Sequence, residues 1–511
     1  MIEIAQIHTR SANFDANYTY IRKCIKDASK KSVKTLVFPA FSLTGYPVGD
    51  ELKSPEFVEK CWTYVERLLK YTDGLTVVLD IPFFQKKQLV HRLLCLENRK
   101  IKGFSDNSCG WNDVGLNFER YFKTSEYAQI PKSFKLGLAF AAELPKKLEK
   151  SSEFDQWIVL DAWSFDYKNV ESRTAYFCAL AKQYQVEIFL ANAVGGQVSL
   201  ILTGGSMHIG SDGKILKQYP YFEESFLSRK SKVKNRTSNI EWIHDALVCG
   251  IRDYFNDRGL KTAVIGLSGG IDSAVVLPLT VKALGRKNVL GILLPSQYST
   301  KHSIDDAIKS AHNLGVDYHI IPIEKAFQTM HETLLPVFGK RPFDLAEENL
   351  QARIRSMILM GISNKLGHIL LNTSNKTESA VGYGTLYGDL CGALGVIGDL
   401  YKFQVYELAN FINRNYEIIP QNSIDKVPSA ELRPNQKDSD SLPEYDVLDA
   451  VLQLYLDENL SENAIIKKGF DEKLIKKTFN LVKSNAYKRH QTAPQLRISN
   501  SAFGIDRIMV F

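Results

Sequence analysis

No Cys-x-x-Cys pair occurs in this chain, although seven cysteines are scattered along its 511 residues, at Cys24, Cys61, Cys95, Cys109, Cys178, Cys249 and Cys391. The odd count and wide spacing speak against a disulfide framework and a zinc site, and a reducing cytoplasm is the expected compartment. No apolar run approaches the ~20 residues needed to span a bilayer, so no membrane partner is expected. The first residues hold no basic segment followed by an apolar stretch, so no secretory signal is expected either. Charge of one sign is also scarce: 64 basic against 57 acidic residues leave a net charge of +7. So mild an excess suits anionic small molecules as well as nucleic acid and chooses between neither. Internal repeats and low-complexity tracts are missing.

The chain does have the composition of a folded protein, 44% hydrophobic and 24% charged, which excludes disorder. Its length exceeds what one core fills, so two domains or more are expected. Both halves alternate short apolar runs with amphipathic stretches, the pattern of α/β layers. In the first half, strands are predicted at residues 2–7, 35–38, 75–81, 135–142, 157–160 and 187–191, with a helix at 17–30. Residues 228–239 (SRKSKVKNRTSN) read as a solvated linker. A helix at 240–258 and a strand at 262–267 open the second half.

The chemistry begins where that strand ends. Gly266, Leu267, Ser268, Gly269, Gly270, Ile271, Asp272 and Ser273 lie between the strand and an apolar-periodic helix. Small residues let the chain turn tightly and leave backbone N–H groups bare, and the helix adds its positive end, so the turn is an anion cradle. The Gly-Lys-Ser/Thr ending of a Walker A loop is absent. SGGIDS instead resembles the pyrophosphatase loop of enzymes that split ATP into AMP and pyrophosphate, and in that family the aspartate, here Asp272, helps bind magnesium.

Further motifs follow in order. ENLQARIR starts a long helix at Glu348, with Leu350, Ile354, Met357, Ile358, Gly361 and Ile362 as its expected buried stripe. Asn349 and Arg353 share another face, where an arginine can grip a carboxylate or phosphate or form an ordinary surface ion pair. A strand at residues 368–373 runs into SNKTE, which supplies Glu378, a hard oxygen ligand suited to magnesium beside Asp272. VGYGTLYGD, PSAEL with DSDSLPEYD, and KRHQ complete the set. Ser303 reads as a helix N-cap. The polar, proline-containing stretch 425–445 is long for a loop and is expected to act as a lid that keeps water from a reactive intermediate.

This ordered set resembles the NAD synthetase family, in its long, two-domain, glutamine-dependent form. The resemblance implies an α/β fold throughout, with a nitrilase-like α-β-β-α sandwich at residues 1–228, a linker at 229–239, and a parallel-sheet adenine-nucleotide-hydrolase-like domain at 240–511. It implies ATP and Mg2+ as cofactors, with nicotinic acid adenine dinucleotide and ammonia as substrates. Gly266–Ser273, Thr373 and Lys402 would bind ATP. Asn349, Arg353, Glu378 and Lys488 would meet the dinucleotide, and Asp272 and Glu378 the metal. A homodimer or higher homo-oligomer is implied, and no nucleic acid partner.

The first half resembles the nitrilase superfamily through LVFPAFSLTGYP, FERYF, residues 137–143, NAVGG and GGSM. That family hydrolyses amides with a glutamate base, a lysine and a cysteine nucleophile. Here Ala40 stands at the glutamate position and Ala141 at the cysteine position, and an ungapped count puts the lysine at Asn107, or Ser108. Alanine offers neither a thiolate nor a proton acceptor. The expectation is a degenerate amidotransferase domain fused to a working, ammonia-using synthetase. The alternative within the family is a glutamine-dependent synthetase whose glutaminase uses unrecognised or partner-supplied residues. A pyrophosphatase-loop enzyme that modifies tRNA is disfavoured by the missing Cys-x-x-Cys pair and basic domain. A non-catalytic dinucleotide sensor is disfavoured by the intact polar positions.

Overall fold

The computed structural model describes residues 1–507 apart from 109–111, 114, 115, 126, 132–134, 151, 152, 228–233 and 235. Cys109 and most of the expected linker lie outside the described residues. The chain divides into two compact units, Met1–Thr237 and Ser238–Phe511. Among the described residues no helix is long and apolar enough to cross a membrane, and the six described cysteines are free thiols.

The first unit is built around two main sheets, with two small two-stranded ones beside them. In the six-stranded one, strands Ile2–Ile4, Thr35–Val37 and Thr76–Gln85 run parallel. The chain then turns back through Gln88–Glu97 and Lys100–Asp106, both antiparallel. The five-stranded sheet follows the same plan. Gly137–Phe140, Gln156–Asp161 and Glu187–Asn192 are parallel, and Met207–Ile209 and Ile215–Gln218 are antiparallel. Helices Phe14–Lys30 and Pro55–Leu69 belong to the first sheet's side. Leu144–Lys150 and Val170–Tyr184 pack Leu144, Leu148, Phe177 and Leu180 against Trp157, Val159 and Ile188 of the second. This is the expected α-β-β-α arrangement. Near-continuous burial of the central strands explains why they read as apolar runs rather than alternating ones.

The second unit carries a wholly parallel five-stranded sheet, ordered Asp317–Ile320, Val289–Leu293, Ala263–Gly266, Ile369–Asn372 and Leu394–Gly395. The first strand in sequence sits at its centre. The chain then builds outward on one side and later on the other. The strand order therefore reverses between Ala263–Gly266 and Ile369–Asn372, and doubly wound sheets bind ligands in the crevice at the carboxyl ends of such a pair.

Two local expectations are corrected. The helix after the second strand is Lys301–Leu314 with Thr300 as its N-cap, not Ser303; the Thr300 hydroxyl oxygen accepts from the Ser303 amide. On helix Leu345–Leu366 the apolar periodicity marks the packed face only in part: Ile354 is buried and Leu350, Ile358 and Ile362 pack against the core, but Met357 and Gly361 lie outside it. Met357 is 62% exposed and Gly361 is exposed, whereas Glu347, Gln351, Ala352, Ile354, Ser356 and Ser363 are buried. Ala352, Arg355 and Ser356 line the larger cavity, so part of the packed face is polar.

Candidate active site

The strand Ala263–Gly266 ends in the turn Leu267–Gly270, which opens the helix Ile271–Leu284. Gly269 adopts φ +76°, and a Cβ there would lie 2.0 Å from the Ser303 carbonyl oxygen, so only glycine fits. The turn is held by its own hydroxyls. The Ser268 amide donates to Ser273 Oγ at 3.3 Å, the Gly270 amide to Ser268 Oγ at 3.2 Å, and Ser273 Oγ to the Gly270 carbonyl at 3.1 Å.

Across the crevice, strand Ile369–Asn372 leads to the helix Lys376–Val381, capped reciprocally by Asn375 and Glu378. Asn375 also donates to Asp272 Oδ1 at 2.9 Å. Lys402, at the start of helix Lys402–Asn413, is 2% exposed. Its Nζ lies 2.6 Å from Asp272 Oδ2 and 3.3 Å from Glu378 Oε1. Burial would drive this ammonium to give up its proton, but the two carboxylates outweigh that and hold it charged. Burial, and next the neighbouring Asp272, push the Glu378 carboxyl up to about 8. Two carboxylates share one ammonium here, so the cluster is short of positive charge. Hard oxygens, a charge deficit and an adjacent anion cradle suit a magnesium ion with phosphate. No cluster of three or more metal-ligand side chains occurs among the described residues.

Two adjoining cavities meet at this point. One, of about 290 Å3, runs from Gly266, Ser268 and Gly270 past Leu294 and Pro295 to Arg355 and Cys391. The other, of about 200 Å3, holds Asp272, Glu378 and Lys402. Ser268, Gly270, Thr373 and Lys426 line both. Asn349, Arg353 and Lys488 gather around the turn after the capped helix. Asn349 Oδ1 accepts from Thr385 Oγ1 at 2.7 Å, Arg353 Nε donates to the Leu386 carbonyl at 3.2 Å, and Lys488 Nζ donates to the carbonyls of Gly382 and Gly384 at 2.7 and 2.8 Å.

The sequence motifs contain Arg355, Asn375 and Glu431 with no role of their own, and Lys426 falls only within the stretch 425–445 expected to act as a lid. Arg355 Nε donates to the Leu294 carbonyl at 3.0 Å inside the larger cavity. Its position two residues beyond Arg353 was the available signal. Lys376 is fully buried and lies 2.9 Å from Asp399. It therefore anchors the helix that carries Glu378.

In the first unit, Ala40 is 2% and Ala141 8% exposed, and Asn107 is fully buried. The residues beside them converge on the His91 ring. Phe41 stacks on it at 4.4 Å, Phe140 at 4.3 Å and Phe122 at 5.2 Å. The Asn107 amide donates to the His91 carbonyl at 2.9 Å. His91 Nε2 pairs with Asp80, whose carboxylate also accepts from the Phe41 amide at 2.9 and 3.0 Å.

A glycine-bearing turn, paired carboxylates and a buried lysine meet at the switch point of a parallel sheet, the arrangement expected of a nucleotide-dependent ligase, in a chain whose other unit is an α-β-β-α sandwich. A family model for NAD synthase matches residues 243–492. The chain is 36% identical over 540 residues to a glutamine-dependent NAD(+) synthetase of Synechocystis sp., covering 98% of this chain and 97% of that one. It is 34% identical to the enzyme of that name from Thermotoga maritima, at 99% and 97% coverage. Among solved structures, the glutamine-dependent NAD+ synthetase of Acinetobacter baumannii, in complex with adenosine diphosphate, superposes with a TM-score of 0.78 at 32% identity, covering 99% and 97%. The glutamine-dependent NAD(+) synthetase of Cytophaga hutchinsonii, at 19% identity, shares the fold with a TM-score of 0.84, covering 100% and 97%. The chain belongs to the family of long, glutamine-dependent-type NAD synthetases.

Proposed function

We propose that this protein amidates nicotinic acid adenine dinucleotide to NAD, splitting ATP into AMP and pyrophosphate. The observation that carries this reading is the meeting of Asp272, Glu378 and Lys402 beside the Ser268–Gly270 turn. The nicotinate carboxylate attacks the α-phosphate, pyrophosphate leaves, and an acyl-adenylate forms. Ammonia then attacks the acyl carbon and AMP departs. Backbone amides of the turn and Lys402 hold the triphosphate, while Arg355 and Lys426 face its cavity. Asn349, Arg353 and Lys488 shape the turn at residues 382–386 on which the dinucleotide would rest. A magnesium ion held by Asp272 and Glu378 would offset the repulsion between two anionic reactants. No covalent nucleophile is needed, because positioning and charge neutralisation carry the reaction. Pyrophosphate release that depends on nicotinic acid adenine dinucleotide, with NAD as product, tests this reading; its absence would overturn it.

The source of nitrogen has two readings. The names of the full-length relatives favour glutamine as donor, which here would call for a glutaminase centre other than the expected one or for a partner that supplies ammonia. Ala40, Ala141 and Asn107 favour direct use of ammonia, since no thiolate or carboxylate base stands at those positions. In the second case the first unit is a structural remnant. NAD formation by the pure protein with ammonium against glutamine separates the two. We expect turnover with ammonium and little with glutamine; efficient glutamine-driven synthesis would establish the first reading.

A further inference from the structure

One wall of the larger cavity is the segment after the short helix Gln421–Asp425, through Lys426, Ser429, Ala430, Glu431 and Leu432. Glu431 adopts φ +51°, a left-handed backbone that disfavours side chains bearing a Cβ. A glutamate kept in such a conformation calls for a use of its carboxylate. Here Oε1 accepts from Thr300 Oγ1 at 2.9 Å and from Ser303 Oγ at 2.6 Å, and Oε2 accepts from the Thr300 amide at 3.1 Å. The carboxylate thus sits on the first turn of helix Lys301–Leu314, where the helix dipole favours it.

The same turn is the back of the phosphate loop. The Ser303 carbonyl oxygen presses on Gly269. Lys426 Nζ donates to Ser303 Oγ at 3.0 Å, and Ser423 Oγ donates to the Gly269 carbonyl at 3.0 Å. The segment is also braced from within. Ser429 Oγ donates to the Gln436 carbonyl at 2.6 Å, Gln436 Oε1 accepts from the Leu432 amide at 2.8 Å, and Gln351 holds the Leu432 carbonyl at 2.9 Å. The cavity wall and the anion cradle are therefore fastened to one another through Thr300 and Ser303, and Glu431 is the charged part of that fastening.

We propose that Glu431 is a positioning residue, the latch that fixes segment 426–436 to the start of helix Lys301–Leu314, so that closing the nucleotide cavity and ordering the Ser268–Gly270 turn are one event. This rests on the NAD-forming reading above. The latch protects the acyl-adenylate. In an unlatched cavity, water oxygen attacks the acyl carbon, the bond from that carbon to the phosphate oxygen breaks, AMP leaves with the electron pair, and the water's proton passes to solvent. The dinucleotide acid is regenerated, and ATP is spent without NAD being made.

The experiment compares wild type, Glu431→Ala, Glu431→Gln and Ser303→Ala as full-length proteins, supplied with ATP, nicotinic acid adenine dinucleotide and ammonium. AMP and NAD are measured together. Wild type is expected to give an AMP-to-NAD ratio near one. Glu431→Ala should raise that ratio several-fold and raise the KM for ATP on the order of tenfold, as expected when a charged group's hydrogen bonds are lost. Glu431→Gln, which keeps one carbonyl acceptor, should fall between. A general loss of stability lowers both products alike and leaves the ratio alone. A ratio of one and an unchanged KM in Glu431→Ala would overturn the latch. Tryptic cleavage after Lys437, which is exposed at the end of the segment, is followed without substrates and reads the latch independently of turnover. Faster cutting in Glu431→Ala and Ser303→Ala supports it and equal rates sink it, even if wild type were to make no NAD.

Discussion

The two units treat their buried ionisable groups in opposite ways. In the first, the Asp80 carboxylate is met by His91 and by the Phe41 amide, and three phenylalanine rings enclose the pair. In the second, Asp272 and Glu378 share a single ammonium and line a cavity. A pair enclosed by aromatic rings specifies packing, whereas two acids that share one ammonium along a cavity suit a ligand. One half thus encloses its buried acid among rings while the other leaves its acids along a cavity, so function has to be read from the site and not from the fold.

The harshest test of that contrast is Asp272→Asn. It removes a carboxylate from the charge-deficient cluster and leaves Lys402 with Glu378 alone. A loss on the order of 10²–10³ in kcat is expected, as for other groups that stabilise developing charge, with the unfolding transition little changed because a crowding charge has gone. The check is pyrophosphate release against magnesium concentration, alongside thermal unfolding. Activity within about tenfold of wild type would mean that the cluster is structural after all.

His91→Ala asks the reverse question of the first unit. It removes a ring stacked on Phe41 and Phe140 and leaves Asp80 without its side-chain partner. Stranding one member of a buried pair costs about 3–5 kcal/mol. Denaturant unfolding should show that loss, while ammonium-driven NAD formation per folded molecule stays as it was. A large fall in activity with unchanged stability would turn the contrast around.

Much of this was legible in the residues. The strand–turn–helix around SGGIDS could be placed from small residues and apolar flanks, and the glycine at position 269 has the reason expected of it. Asp272 and Glu378 come from motifs far apart in sequence and were expected together at a metal, whereas Lys402, expected at ATP through the resemblance alone, turns out to lie between them. Other features were hidden because they depend on what a face turns toward. Helix Leu345–Leu366 packs Leu350, Ile354, Ile358 and Ile362 as the periodicity expects, but it also buries Glu347 and Gln351 and exposes Met357, which the periodicity does not foresee. The cap at Thr300 was missed because Ser303 offers the same chemistry three residues later. The His91–Asp80 pair carries no local signal, since its members lie on neighbouring antiparallel strands and meet only through their register. Asp449 is the same kind of residue. No motif marks its role, yet it fixes the start of the helix that carries Lys402.

That residue supplies the finest test, because it lets pH act on the second unit's scaffold without touching the carboxylates at the cavity. Asp449 is 2% exposed. It accepts from Thr377 Oγ1 and, at 2.9 Å, from the Phe403 amide, while the Lys402 amide donates to Thr377 Oγ1 at 2.9 Å. Burial pushes its carboxyl from 3.8 up to about 6, the hydrogen bonds from Thr377 and Phe403 and the charge of Lys402 opposing only part of that rise. Between those two values the folded protein holds a proton that the unfolded chain has released. The stabilisation is therefore full below pH ~4 and lost as pH rises through ~6. Asp449→Asn has no proton to lose at this position. The stability of wild type relative to the variant should fall by on the order of 2 kcal/mol between pH 4.5 and 7.5, read from paired denaturant titrations at the two pH values. Parallel pH dependences would mean that Asp449 is charged in the fold across this range, and that the second unit tolerates a buried carboxylate on the strength of its hydrogen-bond donors.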